Sequence, residues 1–309
     1  MDAARLNALM DREYAPEVLG DALERIGCDV EEIVELARYR CPNCAALVEG
    51  SMGAETVKVC SVCGHAEEAG FRQVDTVTAV RIDLLAARPD LFDIGGLARA
   101  LKGYLGEVRG LPRYEVRAST YKVVVRSGVE NPEHYRPHIA CAVVEVPPLD
   151  DAMLATIMKM QENLHWGVVR DRKLASIGVY DLDTIKMPVR YQTTWPDETS
   201  FTPLGMPGRT MSAREVLESH PKGVAYAGLL EGHSRYPVLV DDDGQVLSMP
   251  PIINSEGTKV QPGSTRLFID VTGPSQAAVT ASLDMMVSSL AELGGVISAV
   301  TIVRPDGTE

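Results

Sequence analysis

The chain has 309 residues and carries 30 Lys and Arg against 43 Asp and Glu, a formal net charge of −13. That sign argues against tight, sequence-independent nucleic-acid binding, which depends on cationic side chains releasing counterions. The length, at 45% hydrophobic residues, suits two domains with sizeable cores, and no apolar run approaches the roughly 20 residues that cross a bilayer.

The N-terminus is acidic and amphipathic, unlike a secretion signal, so a cytoplasmic location is the default expectation. Residues 4–26 carry apolar side chains at helical spacing, with a break near Tyr14–Pro16 and Gly27 as the stop. A strand-like exit follows over GCDVEEIVELA, and Thr76–Leu84 reads as another strand. Asp93 is placed to cap a helix that presents Leu97, Leu101 and Leu105 on one face. These elements form a small α/β module over residues 1–110.

Four of the six cysteines stand inside this module as CPNC (Cys41, Cys44) and CSVC (Cys60, Cys63), fifteen residues apart. Two such knuckles fit a tetrahedral structural zinc site, one ion per chain, with no open position for chemistry. The expectation is a zinc ribbon inserted over about residues 39–74. A disulfide framework and a redox CxxC are the alternatives; the missing secretion signal disfavours the first and the second pair disfavours the other. His65 is a spare donor, while Cys28 and Cys141 lie in apolar runs and read as core.

From residue 111 the pattern becomes strand-rich. Strands are expected at Lys122–Arg126, Ile139–Val146 and Ala175–Tyr180, a helix at Asp150–His165, a long helix at Ser275–Leu293 and a final strand at Val296–Val303. Strands and helices mix without strict alternation, so the fold class is α+β. An Asp241–Gly244 turn joins two apolar runs into a hairpin, PPIIN follows, and LFIDVTG alternates so that Asp270 and Thr272 share a face opposite Ile269 and Val271. That face either lines something polar or is the solvated side of a sheet.

Phosphate loops, nucleophile elbows and metal-protease helices are missing from the sequence. His134, His138, His165, His220 and His233 are scattered; His165 closes a helix and reads as packing. Arg170, Arg172 and Lys173 form the best local basic cluster, either a tRNA contact or a solvated turn.

PPIIN with its following FIDVTG strand resembles the beta subunit of archaeal and eukaryotic phenylalanyl-tRNA synthetases. So do RPDLFDIGGLARALKGYLG (Arg88–Gly106), RPHIACAVV (Arg136–Val144), MQENLHWGVVRDRKLASIGVYDLD (Met160–Asp183), FTPLG (Phe201–Gly205) and HPKGVAYAGLLEGHSRYP (His220–Pro237), in the family's order. The resemblance implies that residues 111–309 are a B3/B4-type editing domain, which hydrolyses tyrosine wrongly esterified to tRNA. Carried over by motif, its metal-free pocket comprises Leu239 as apolar wall and Ser248, Asp270 and Thr272 as polar, substrate-binding and catalytic groups. The implied partners are tRNA or aminoacyl-tRNA, with a synthetase alpha subunit or another tRNA-dependent enzyme; neither membrane nor DNA is expected. Two departures stand out. The family often has His-Asp where this chain has Tyr180-Asp181, and the zinc ribbon is not part of the usual pattern. Motifs for ATP chemistry are missing, so amino-acid activation by this chain alone is not expected. Three readings stay open: a free-standing deacylase, a binding module without turnover, and the first part of a longer beta subunit.

Overall fold

The computed structural model describes residues 1–43, 47–52, 56–60, 65–83, 87–126, 128–129 and 136–309. They divide into two compact units, one of 1–113 with 150–160 and one of 114–149 with 161–309.

In the first unit α1 (Ala3–Leu9) and α2 (Pro16–Arg25) precede a three-stranded antiparallel sheet. Its strands are β1 (Asp29–Arg40), β2 (Leu47–Ser51) and β3 (Arg72–Asp83), ordered β2-β1-β3. The helix break expected near Tyr14–Pro16 is present, because Pro16 starts α2 where its missing N–H costs nothing. Gly27, at φ +95°, turns the chain from α2 into β1. Helix α3 (Ile94–Tyr104) begins at Asp93, whose side chain accepts from the N–H groups of Gly95 and Gly96. A Cβ on Gly96 would run into the carbonyl oxygen of Asp90, which explains the glycine there. Leu6, Leu19, Leu23, Val80, Leu97 and Leu101 are buried together as the core of this unit.

The zinc-ribbon residues divide. Cys41 and Cys60 are buried in a small cluster with Ala37, Tyr39, Val48 and Phe71. Cys44 and Cys63 lie outside the described residues, as do Leu84 and His134.

In chain order the remaining elements are β4 (Val116–Arg117), β5 (Lys122–Val125), β6 (His138–Glu145), α4 (Asp151–Gly167), β7 (Ser176–Asp181) and β8 (Val189–Thr194). Then come β9 (Ser200–Phe201), β10 (Met211–Ser212), α5 (Ala213–Ser219), α6 (Pro221–Tyr226), β11 (Tyr236–Val240) and β12 (Val246–Met249). The chain finishes with β13 (Ile253–Asn254), β14 (Arg266–Gly273), α7 (Gln276–Glu292), β15 (Val296–Ala299) and β16 (Thr301–Val303). The second unit is built on two sheets, ordered β4-β15-β6-β14-β7 and β13-β12-β11-β8-β5-β16. The single final strand expected from the sequence is two: β15 pairs with β6 in one sheet and β16 with β5 in the other. A strand read from apolar alternation alone gives no sign of a change of sheet at Val300.

One hydrophobic cluster draws on both sheets. Cys141, Val143, Tyr180 and Phe268 come from the first, and Val123, Val189, Tyr191 and Leu239 from the second. Helix α7, capped by Ser275, covers strands β6 and β14 of the first sheet. Residues of α5 and the β9–β10 segment pack with Val238, Val240 and Val246 of the second sheet. The predicted hairpin forms as β11 and β12, with Gly244 at φ +89° and Asp241 accepting from the Gln245 N–H at 2.8 Å. Among the described residues no helix is long and apolar enough to cross a membrane.

Candidate functional site

Strand β14 is central, with β6 on one side and β7 on the other. Every residue from Leu267 to Gly273 is buried, which rules out the solvated-face reading of the Asp270–Thr272 side. Period-2 alternation places Asp270 and Thr272 on the face shared with Cys141, Tyr180 and Phe268, whereas Ile269 and Val271 point the other way. The face looks inward because both sheet surfaces are covered.

Asp270 is 1% exposed and stands directly across the β14–β7 ladder from Gly178. A Cβ at Gly178 would collide with both Asp270 Oδ1 and the Tyr180 hydroxyl, so glycine is what lets those two groups meet. The Tyr180 hydroxyl lies 2.5 Å from Asp270 Oδ1 and 2.8 Å from Ser248 Oγ. A phenol has one proton; it donates to the carboxylate and accepts from the serine. Ser248 is itself buried, and belongs to the other sheet. Tyr180 thus bridges the two sheets through its oxygen, while its ring lies against Phe268 with centroids 5.8 Å apart.

Burial raises the Asp270 pKa from 3.8 to about 6, against the Tyr180 hydrogen bond and the nearby Arg136 charge, which both favour the carboxylate. Burial and the adjacent carboxylate push the Tyr180 phenol well above the usual range, and they do the same to the Cys141 thiol. Neither is a nucleophile at neutral pH.

Thr272, fully buried, lies one alternation further along, and its Oγ1 is held elsewhere. It is 3.4 Å from Arg136 Nε and 3.4 Å from Ser176 Oγ. Arg136, 1% exposed, also donates from Nη2 to Ser176 Oγ at 2.9 Å and to the Thr272 carbonyl oxygen, and its own carbonyl accepts from the Tyr191 hydroxyl at 2.7 Å. Leu239 pairs with Ser248 across the hairpin but packs into the inter-sheet core.

Next to Asp270 and Ser248 is a cavity of about 20 Å³, lined also by Arg172, Ser176, Ile177, Gly178, Tyr180, Pro250, Pro251, Ile253 and Asn254. The expected pocket residues therefore separate: Ser248 and Asp270 line this space, whereas Thr272 and Leu239 stand behind it. Arg172 is the one basic-cluster residue among the lining groups. Its Nη1 donates to the carbonyls of Pro251 (3.0 Å) and Ile252 (2.9 Å), and the guanidinium lies 4.5 Å from the Tyr226 ring centroid. Arg170, Asp171 and Arg172 all have positive φ, a conformation non-glycine residues seldom adopt. His165 is buried and accepts the Ile177 N–H on Nε2 at 2.9 Å. Burial, helped by the charges of Arg172, Arg136 and Lys222, holds it well below the usual imidazole range and therefore neutral.

Sequence reasoning missed the roles of Arg136 and Gly178 and saw Tyr180 only as a departure from the His-Asp that the family often has there. Tyr180 did carry a signal, because it sits two residues from a glycine on a strand that pairs with the Asp270 strand. Its neighbour Asp181 faces the opposite way and accepts from Ser264 Oγ at 2.6 Å and from the Asp183 N–H at 3.0 Å, a structural role.

The second unit is thus a two-sheet α+β unit with a buried carboxyl, a buried serine and a small polar cavity. Comparison with known proteins then identifies the chain. It belongs to the phenylalanyl-tRNA synthetase beta-subunit family. It is 43% identical over 227 residues to the phenylalanine–tRNA ligase beta subunit of Methanothrix thermoacetophila, covering 74% of this chain and 41% of that one. With the Methanococcoides burtonii subunit it shares 44% over 231 residues, 75% of this chain and 42% of that one. The chain thus spans about two fifths of the length of these curated relatives. A crystal structure of an N-terminal fragment of the phenylalanyl-tRNA synthetase beta subunit from Pyrococcus horikoshii superposes with a TM-score of 0.79 at 32% identity, over 99% of this chain and 76% of the fragment. No protein-family model matches the chain.

Proposed function

We propose that the second unit is an aminoacyl-tRNA editing module of the B3/B4 type, and that Ser248 and Asp270 form the polar wall of its pocket. The observation that carries this reading is the Asp270 carboxyl, fully buried beside a polar cavity large enough for about one water. Nothing in the packing of a two-sheet core calls for a buried carboxyl, whose burial alone is costly. An aminoacyl ester is already activated, so a positioned water with a base beside it suffices. Above about pH 6 Asp270 is ionised and is able to take a proton from that water as its oxygen attacks the ester carbonyl carbon. The ester C–O bond then breaks, the terminal ribose oxygen takes the proton that Asp270 had accepted, which restores the carboxylate, and free amino acid and uncharged tRNA leave. Thr272 acts through Arg136 as a positioning group, and Leu239 supports Ser248 from the core.

The Cys41–Cys44–Cys60–Cys63 set is proposed to hold one structural zinc. Burial of Cys41 and Cys60 beside Phe71 and Tyr39 fits a closed thiolate site, and zinc would supply folding stability there rather than chemistry. Kinship to a tRNA ligase beta subunit supports tRNA and a second synthetase subunit, or another tRNA-dependent enzyme, as partners, in the translation machinery of the cytoplasm.

A second reading, a module that binds a charged tRNA or an amino acid without turnover, is favoured by the small size of the cavity. Incubation with a panel of aminoacyl-tRNAs separates the two. Accelerated release of an amino acid supports hydrolysis, and retention of every ester with measurable binding supports the second reading.

A further inference from the structure

We propose that Tyr180 is the specificity-determining residue of this pocket: its phenol fills the side-chain subsite, so that the pocket takes small aminoacyl groups and excludes aromatic ones. The proposal rests on the reading of Ser248 and Asp270 as the pocket wall and narrows it to a substrate class.

A buried tyrosine with a paired hydroxyl is ordinary in a protein core. Three observations set Tyr180 apart. First, its oxygen is held by two buried polar groups contributed by different sheets, Asp270 of β14 and Ser248 of β12. One partner would satisfy a core phenol; a carboxylate acceptor plus a hydroxyl donor is what a site for a tyrosine side chain would offer a substrate. Second, the space is built to the measure of this ring. Gly178 leaves room for the hydroxyl where any Cβ would collide, and Phe268 lies alongside the ring. Third, the space left beside it is a cavity of about 20 Å³, room for about one water and far short of a second aromatic ring. The recognition groups are therefore already engaged by a phenol that belongs to the chain. A tyrosyl or phenylalanyl side chain has to displace Tyr180 to enter, which breaks both bonds and drives a large ring out of a packed core. A hydrogen or methyl side chain does not need the space that the Tyr180 ring fills.

The test uses p-cresol, the tyrosine side chain as a free molecule, with toluene as the analogue without hydroxyl. Binding to the intact protein is followed by calorimetry and by thermal shift, with no tRNA and no turnover, so the result is independent of whether the module hydrolyses anything. Wild type is expected to bind neither compound at millimolar concentration. Tyr180→Ala is expected to bind p-cresol about tenfold or more tightly than toluene, because only p-cresol restores the bonds to Asp270 and Ser248. The preference should vanish in Tyr180→Ala/Asp270→Ala. Tyr180→Val serves as the second opened variant should the alanine variant fail to fold. Saturable binding of p-cresol by wild type overturns the proposal, as does a folded Tyr180→Ala or Tyr180→Val that binds p-cresol no better than toluene.

Discussion

Replacing Asp270 by asparagine removes a single ionisation and leaves the shape of the site in place. The amide oxygen still accepts from the Tyr180 hydroxyl, and the bond from Ser248 to Tyr180 is untouched. In the wild type, burial raises the Asp270 pKa from 3.8 to about 6. Between those two values the folded state keeps a proton that the unfolded state has released. Stability therefore falls as pH rises from about 4 to about 6, and the loss is complete above that window. A shift of about two pH units at 1.36 kcal/mol each gives a cost of about 3 kcal/mol at neutral pH. Asp270→Asn carries no such cost. Its stability relative to wild type should move in its favour by about 2.5 kcal/mol between pH 4 and pH 7, since a small part of the cost is already present at pH 4. Urea unfolding of both proteins at half-unit steps over that range measures the change directly. A difference that stays flat across the window would refute the reasoning, since it would mean that the Asp270 carboxyl titrates alike in the folded and unfolded states.

Tyr180→Phe keeps the ring and deletes the hydroxyl, leaving Asp270 without its Tyr180 donor. It should cost about 1–3 kcal/mol near neutral pH. Because that hydrogen bond favours the Asp270 carboxylate, the upper edge of the pH window should also move above its wild-type position, read from the same urea titrations. For the cysteine set, elemental analysis should find about one zinc per chain. Cys41→Ser should abolish it and lower the melting temperature of the first unit, leaving the urea transition of the second unmoved.

The fold was legible wherever one physical signal was strong and local. The Asp93 cap, the Gly27 stop, the helix break near Tyr14–Pro16 and the Asp241–Gly244 hairpin turn all rest on what a residue does to its own stretch of backbone. Alternation in LFIDVTG put Asp270 and Thr272 on one face, yet could not say whether that face was wet or buried. That depends on a second sheet whose strands lie far away in sequence. The same limit hid the change of sheet between β15 and β16. At the site, Ser248 and Asp270 came from a family motif, and the structure brings them together through Tyr180. What no local pattern conveys is the cross-strand facing of Gly178 and Asp270, or the reach of Arg136 to Ser176 and Thr272. Those are contacts between residues some 40 to 136 positions apart, set by sheet register.

The most direct test of an editing pocket narrowed by its own tyrosine is hydrolysis. The full chain at micromolar concentration is incubated with phenylalanine tRNA charged in turn with glycine, alanine, phenylalanine and tyrosine. The account predicts faster-than-spontaneous release of a small amino acid, little or none of the aromatic ones, and about a 100-fold loss in Asp270→Ala. Equal release of tyrosine, or no release from any ester while Asp270→Ala behaves like wild type, would contradict it.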